Sequence, residues 1–254
     1  GNTLTQRKHA PFRYDIVGSF LRPEALKSAR EAFAKNEISA AQLTEVEDAC
    51  IRNLVEKQLE AGLKSVTDGE FRRSYWHLDF MWGFDGIEHN VMDQGYIFHG
   101  EETRPDSARV CGKIKFTHHP FIDHFKFLKE VVGDRALVKQ TIPAPSQLFA
   151  ELVRADNEEH LNRIYPNREE LYADLTQAYH DFILALYNEG CRHLQLDDCT
   201  WGMLCDSNFA KYFADAAGGL EQLQQLYLKL NNDAIADLPA DLVVTTHVCR
   251  GNYH

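Results

Sequence analysis

The feature that most constrains the fold of this chain is a set of short apolar or β-branched runs that recur at intervals of roughly fifty residues. Runs of this length and composition predict β-strands. The runs cover residues 14–17, 64–67, 136–141, 193–197 and 242–246. Because long segments with helical patterns separate several of them, the order of elements predicts parallel strands joined by crossover helices.

The first long helix is predicted from Ser39 to about Ala61. Ser39 is a residue type that caps helix N-termini, and apolar residues follow it at helical spacing. Gly62 comes directly after the last apolar position, where glycine commonly ends a helix.

Two further helices follow from the same kind of signal. Asn167 with Glu170 three residues later resembles a capping box, and an apolar stripe continues from there to Gly190. A third helical pattern covers residues 220–238 and is followed by Pro239, which cannot continue a helix.

Residues 86–116 interrupt this rhythm. Apolar side chains alternate with other residues through Val110, Ile114 and Phe116, and glycines and a proline interrupt the segment. Such alternation predicts a β-hairpin. We expect this hairpin to extend one strand-to-helix loop, so residues 1–254 form a single domain.

Two architectures fit a succession of strands and helices, an open doubly wound sheet and a closed barrel. No glycine-rich phosphate loop follows the first run, whereas polar residues follow almost every run. These residues are Ser19, Asp68, Glu70, Gln140, Asp197, Asp198, His247 and Cys249. In a barrel such positions meet at one mouth, where barrel enzymes carry their active sites. The pattern therefore favours an α/β fold of the (β/α)8 TIM type. Because five runs fall short of eight strands, either the barrel is incomplete in this chain, which is the interpretation we favour, or further strands lack a clear pattern.

Composition excludes several classes of partner. The formal charge is -11, which disfavours nucleic acid and anionic membranes because both require a basic face. No apolar run approaches the roughly 20 residues that cross a bilayer, and the first residues lack the apolar core of a signal peptide. The six cysteines show no disulfide framework spacing. These features predict a cytoplasmic protein with reduced thiols.

The segment Thr246-His247-Val248-Cys249 carries the sharpest chemical signal. Residues two apart on a strand point to the same side, so the His247 imidazole and the Cys249 thiolate could bind one ion. Zinc accepts both ligand types. The His-x-Cys pattern alone leaves open the alternative of a buried histidine near an inert cysteine.

Carboxylates follow two other strands. Glu70, in the segment Asp68-Gly69-Glu70, could hold a substrate ammonium group, or it could simply pair with Arg72 or Arg73. Further along the chain, Asp197 and Asp198 alternate on a strand, so one should face the barrel mouth and the other should face away. The residue that faces away could cap a helix.

Other candidate positions carry weaker signals. Gly18 and Ser19 end the first run and could offer backbone donors to a carboxylate. Five aromatic residues could stack on a flat ligand, although most of them are expected in the core: Tyr75, Trp76, Phe80, Trp82 and Phe84. Three histidines are predicted to lie on the surface: His118, His119 and His124.

Taken together, four segments resemble the C-terminal catalytic barrel of cobalamin-independent methionine synthase, and especially its shorter single-domain relatives. The segments occur in the order Val17-Gly18-Ser19-Phe20, Asp68-Gly69-Glu70, Gln195-Leu196-Asp197 and Thr246-His247-Val248-Cys249. The resemblance implies that His247 and Cys249 are zinc ligands, which the family completes with a glutamate and a second cysteine from later strands.

The resemblance also implies a substrate site. Gly18 and Ser19 would bind the carboxylate of homocysteine, and Glu70 and Asp197 would act as the catalytic pair that holds its ammonium group. The segment 140–146 corresponds to the region where the synthases bind folate. The implied partners are therefore small molecules, with a homo-oligomer as a further possibility.

The implied activity is that of a 5-methyltetrahydropteroyltriglutamate–homocysteine S-methyltransferase. It would move a methyl group from a methyltetrahydrofolate-type donor to the thiol of homocysteine, with Zn2+ as cofactor, and so produce methionine. Two alternatives stay open. One is a related zinc-dependent thiol methyltransferase with a non-folate donor or another thiol. The other is a non-catalytic protein that binds homocysteine without turnover.

Overall fold

The computed structural model describes residues 20–92, 105–154, 157–200 and 219–248. The helices of these segments are α1 (Glu24–Ala34), α2 (Ala40–Glu60), α3 (His77–Met81), α4 (Pro120–Val132), α5 (Pro145–Leu152), α6 (Asn157–Ile164), α7 (Arg168–Asn188) and α8 (Leu220–Ile235). The strands are β1 (Ser65–Val66), β2 (Asp85–Val91), β3 (Asp106–Lys115), β4 (Leu137–Pro143), β5 (His193–Asp198) and β6 (Val243–Val248).

A parallel sheet forms the centre of the fold, with strand order β1-β4-β5-β6. Each of these strands matches a predicted run to within about two residues at either end, and the run at 14–17 lies outside the described residues. Helices connect the strands, as the predicted α/β barrel class requires. Within the described segments, β1 and β6 are the two ends of an open row of four strands.

The two faces of the sheet differ in burial. On β5, Leu194, Leu196 and Asp198 are buried, whereas Gln195 and Asp197 are partly exposed. The buried face packs against helices in one apolar cluster that includes the side chains of Val138, Ile142, Leu175, Phe182, Tyr227 and Leu230. The partly exposed face therefore carries the polar residues.

The predicted helix caps are present with one difference. Ser39 and Gln42 form a reciprocal capping box at the start of α2. Asn167 caps α7 by accepting from the backbone of Glu169, but the Glu170 carboxylate instead lies 3.0 Å from the ammonium of Lys113. The capping-box-like start of α7 is therefore a simple side-chain cap.

The hairpin expected at 86–116 is formed by β2 and β3, which pair antiparallel with Glu88 opposite Arg109. Residues 93–104 between them lie outside the described segments. A bulge near Gly86 shifts the register at one end of the hairpin. Val110 and Ile114 of β3 belong to the main apolar cluster, so the hairpin shares the core of the sheet and helices.

The prediction of surface histidines is wrong for His119. Its side chain is fully buried, with Nε2 2.8 Å from the carbonyl oxygen of Phe80 and Nδ1 accepting from the backbone N–H of Phe121 at 3.1 Å. His119 immediately precedes α4, so its ring both caps that helix and packs against Phe80. His118 is exposed, as predicted, and His124 is half-buried.

Among the helices described, none is both long enough and apolar enough to span a membrane.

Candidate active site

The predicted site residues that the structure describes lie at the carboxyl-terminal edge of the parallel sheet. Glu70 follows β1, Asp197 is near the end of β5, and His247 is near the end of β6. Gly18, Ser19 and Cys249 lie outside the described residues.

Glu70 sits on a tight turn that the sequence holds in place. Its backbone is left-handed, with φ of 59°, and its N–H donates to Oδ1 of Asp68 at 2.8 Å. The preceding Gly69 also has a positive φ of 68°, and a Cβ there would lie 2.6 Å from a methyl carbon of Leu54. A side chain at position 69 would therefore be strained and would have to displace Leu54, so glycine is favoured in this turn.

The carboxylate of Glu70 is buried and incompletely satisfied. Its Oε1 lies 3.6 Å from Nη1 of Arg73, which is an ion-pair distance but too long for a hydrogen bond. Within the described segments, no group donates a hydrogen bond to this buried oxygen. Of the two predicted arginine partners, Arg72 instead pairs with Glu47 and Asp48.

Arg73 links the Glu70 turn to the end of β4. Its guanidinium is buried, donates to the carbonyl oxygen of Thr141 and lies 4.8 Å from the ring centroid of Phe121. The guanidinium of Arg73, which carries the positive charge beside Glu70, is thus held in place by its contacts with β4 and Phe121.

The surroundings of Glu70 bring the pKa of its carboxyl group close to neutral pH. The pKa of Glu70 is raised from 4.5 to about 7, mainly by burial and also by the nearby carboxylates of Asp197 and Asp68. Arg73 and Arg22 act in the opposite direction. A cationic ligand at this position would therefore favour the ionised carboxylate.

The two adjacent aspartates of β5 have different environments. Asp198 is fully buried and accepts hydrogen bonds from the backbone of Thr200 at 3.1 Å and from Asn231 at 3.0 Å. Asp197 lies on the partly exposed face, where its Oδ1 accepts from Nε2 of Gln195 at 2.9 Å. Asp198 therefore links the end of β5 to Asn231 of α8, and Asp197 is the aspartate on the partly exposed face of the sheet.

His247 is the register partner of Asp197 across β5 and β6, so the two side chains share the partly exposed face. An imidazole on an exposed strand end suits a zinc ion. In the described part of the chain, no cluster of three or more metal-ligating side chains is formed. The described residues thus supply one donor that fits zinc, and its predicted partner Cys249 lies outside them.

A pocket of about 230 Å³ adjoins the Glu70 turn, between the segment after Arg73 and helix α5. Its lining residues are Ser74, Tyr75, Trp76, His77, Leu78, Met81, Gln147 and Glu151. Two aromatic residues of the predicted group line it, and Trp76 is 54% exposed. Phe80 and Phe84 are buried in the core, as expected for most of that group.

Sequence reasoning did not identify three groups at this site. The sequence predicts Arg73 only as a local partner of Glu70, whereas the hydrogen bond from Arg73 to Thr141 spans 68 positions. Gln195 contacts both Asp197 and Lys139, the latter 56 positions away. Only the pairing of β4 with β5 brings Lys139 to Gln195, so no local pattern could have revealed that contact.

Comparison with known proteins places this arrangement in context. No protein-family model matches the chain. The uncharacterized protein YxjH of Bacillus subtilis is 43% identical over 253 residues, which cover 100% of this chain and 65% of YxjH. The methionine synthase of Saccharolobus solfataricus is 25% identical over 243 residues, covering 94% of this chain and 62% of that protein. The chain thus spans less than two thirds of the length of these relatives.

A solved structure from Listeria monocytogenes, described as a candidate vitamin-B12 independent methionine synthase, is similar over most of the chain. The sequence identity is 44% and the TM-score is 0.74, with 96% of this chain and 67% of that chain covered. Identity at this level over two thirds of a solved chain reflects common descent and a common fold. The chain belongs to the cobalamin-independent methionine synthase family.

Proposed function

We propose that the protein binds homocysteine at the Glu70–Asp197 edge of the sheet and transfers a methyl group to its thiol with the help of zinc. The observation that carries this proposal is the Oε1 atom of Glu70, which is buried and has no hydrogen-bond donor among the described residues. Buried polar atoms are usually satisfied, so an orphaned carboxylate oxygen in a strand-end site points to a bound partner.

An ammonium group is the partner that the charges favour. Asp197 and Asp68 raise the pKa of Glu70 whereas Arg73 and Arg22 lower it, so this edge holds three carboxylates against two guanidinium groups. Two carboxylates facing one site repel each other unless a cation lies between them. The α-ammonium of an amino acid supplies that charge together with three hydrogen-bond donors.

Thiol activation would come from zinc held by His247 and Cys249. A free alkyl thiol has a pKa near ~8.5 and is mostly protonated at neutral pH. Zinc, when bound, stabilises the deprotonated thiolate, which is the nucleophilic form. The role of this chain is to present its imidazole beside Asp197, so that a substrate held by its ammonium group has its thiol directed toward the metal.

The pocket beside the Glu70 turn is where we place the methyl donor. The indole of Trp76 is half exposed at its edge, and aromatic faces stack on flat rings. A methyltetrahydrofolate-type donor, which carries a flat bicyclic ring, suits this chemistry.

Calorimetric titration of homocysteine into the full chain tests the substrate site. The variant Glu70→Gln removes the charge but keeps the shape, and we expect its affinity to fall by about 100-fold, because removing one partner of a buried charge pair typically costs a few kcal/mol. The matched control is Glu56→Gln, at an exposed glutamate paired with Arg135. Equal homocysteine affinity in Glu70→Gln and wild type would exclude Glu70 from the site.

Metal analysis tests the zinc site. We expect about one zinc per chain by mass spectrometry, and X-ray absorption should show an additional sulfur ligand after homocysteine is added. His247→Ala should lose the metal while keeping its far-ultraviolet circular dichroism. Retention of zinc by His247→Ala would contradict this ligand assignment.

Product analysis tests the donor. With methyltetrahydrofolate as the sole methyl source, methionine should form, and Trp76→Ala should raise the KM for the donor more than the KM for homocysteine. Methionine formation only with another methyl donor would favour the alternative of a non-folate methyltransferase.

A further inference from the structure

A row of polar side chains crosses the partly exposed face of the sheet below Asp197. Lys139 on β4 donates from Nζ to Oε1 of Gln195 on β5 at 2.9 Å. Gln195 in turn donates from Nε2 to Oδ1 of Asp197 at 2.9 Å. Strand geometry explains this row, because Gln195 and Asp197 are two residues apart and Lys139 lies on the neighbouring strand.

The chemistry of the three groups fixes the direction of both hydrogen bonds. An ammonium group can only donate, so the carbonyl oxygen of the Gln195 amide must face Lys139. The amide nitrogen must then face Asp197, whose carboxylate oxygen accepts the hydrogen bond. With Lys139 present, the reversed amide would set a carbonyl oxygen against a carboxylate and an NH2 group against an ammonium.

Lys139 is well placed to act as the anchor of this row. Its side chain is partly buried, and its register partner on β5 is His193. Burial and the charge of Lys139 lower the pKa of His193 to about 4, so this imidazole is neutral near pH 7. The positive charge of Lys139 therefore meets no second cation from His193.

We infer that Lys139 and Gln195 are positioning residues for Asp197. Lys139 sets the orientation of the Gln195 amide, and Gln195 in turn sets the plane of the Asp197 carboxylate. This inference rests on the proposed function, in which Asp197 holds the substrate ammonium. Neither residue needs to touch the substrate. Their effect is to make the site selective for thiols that carry an α-ammonium group.

The test compares two thiols that differ in that group alone. Homocysteine and 4-mercaptobutanoate share the thiol, the chain length and the carboxylate, and only homocysteine carries the ammonium. Wild-type protein is expected to bind homocysteine about 100-fold more tightly, which is the consequence of two carboxylates facing one cation. Binding is measured by calorimetry on the full chain.

The variants Gln195→Met and Lys139→Met should reduce this preference by about tenfold, through weaker homocysteine binding, with the affinity for 4-mercaptobutanoate unchanged. Lys139→Arg keeps a cationic donor and should retain most of the preference. Lys126→Met, at an exposed lysine of α4, removes the same charge elsewhere and should behave as wild type. Thermal melting of each variant shows whether it is folded.

The outcomes separate the inference from the function on which it rests. A preference in wild type that persists in folded Lys139→Met and Gln195→Met would overturn the positioning roles while leaving the substrate site intact. Equal losses for both thiols would indicate a merely structural role and would also overturn them. A wild-type protein without any preference would overturn both the ammonium site and the inference.

Discussion

Glu70 combines a left-handed backbone with a buried carboxylate oxygen that lacks a donor in the described residues. Each feature costs stability, since αL conformations are unfavourable for residues with a Cβ and buried polar atoms normally need partners. Both costs fall on one residue at the edge where the strand ends meet. Local strain of this kind concentrates at functional sites, where the surrounding structure holds it in place.

The raised pKa of Glu70 predicts that the free energy of unfolding depends on pH, and Glu70→Gln should remove this dependence. The folded protein holds this proton with a pKa of about 7, against the ordinary 4.5. The stability that this bound proton contributes is thus fully present below the ordinary pKa, and it is lost as the pH rises toward the pKa of Glu70 in the folded protein. We expect the free energy of unfolding of wild type to fall, relative to Glu70→Gln, by on the order of 2–3 kcal/mol across this range.

Urea denaturation of ligand-free protein at several pH values measures this difference. Glu56→Gln, at an exposed glutamate, should follow the wild-type profile. A constant difference between wild type and Glu70→Gln at all pH values would show that Glu70 titrates normally.

The stability linked to His119 should depend on pH in the opposite direction. Burial lowers its pKa to about 4 from 6.5, so the stability linked to the neutral ring is present above the ordinary pKa and is lost as the pH falls toward about 4. His119→Leu leaves the Phe80 carbonyl and the Phe121 N–H without their partners. We expect it to cost about 2–4 kcal/mol at pH 7 and less at pH 5.

The neighbouring His118 provides the matched control. It is exposed, so His118→Leu should change the free energy of unfolding by less than about 0.5 kcal/mol. If denaturation curves show equal losses for the two variants, the ring of His119 does not hold the start of α4.

The sequence predicts the positions of Glu70 and Asp197 but not the burial of His119, and this difference has a physical reason. Glu70 and Asp197 could be placed together because carboxyl ends of parallel strands meet at one edge. His119 could not be placed, because its polar neighbours suggest a surface loop. Its burial depends on Phe80, which is 39 positions away and reaches it only through the packing of α3 against α4.

At the scale of elements, local signals predicted the helix starts well. The Ser39 capping box is complete within three residues, so the sequence contains all of its partners. The end of α8 was less predictable, because Ala236 turns to extended backbone before the predicted end at 238. The residue before a proline avoids helical backbone, and here the helix ends earlier still, at Ile235.

The hairpin of β2 and β3 depends on one glycine. Gly86 has a φ of 88°, and a Cβ there would lie 2.3 Å from the carbonyl oxygen of Lys113 on the facing strand. Gly86→Ala should therefore lower the free energy of unfolding by at least about 2 kcal/mol. Gly112→Ala is the matched control, because its nearest contact is 3.8 Å away at the Cα of Gly86.

Thermal denaturation of the two alanine variants compares these positions directly. A Gly86→Ala protein as stable as Gly112→Ala would mean that the bulge can relax, and the hairpin would then tolerate a side chain at this turn.

For the whole molecule, stability should decrease across the sheet from β5 to β6. β5 is paired on both sides and carries fully buried leucines, whereas β6 pairs with β5 and most of its residues are exposed in the described structure. Hydrogen exchange should therefore protect the amides of β5 about tenfold or more over those of β6. Equal protection would indicate that another part of the chain pairs with the outer edge of β6.

The general architecture was predictable because periodic runs and strand-end polarity are repeated along the chain. The connections between elements were not. Arg30 contacts the carbonyl of Phe71 across 41 positions, and Lys139 contacts Gln195 across 56. Such contacts depend on strand register and helix packing, which no local pattern specifies.

The left-handed turn at Glu70 has a consequence for protein engineering. Glycine and asparagine adopt this backbone at little cost, and either would also remove the buried charge. A directed-evolution screen that rewards heat resistance alone should therefore enrich replacements at position 70. The more heat-resistant proteins from such a screen would have lost the carboxylate proposed to recognise the amino acid, so a thermal screen of this chain needs a simultaneous selection for ligand binding.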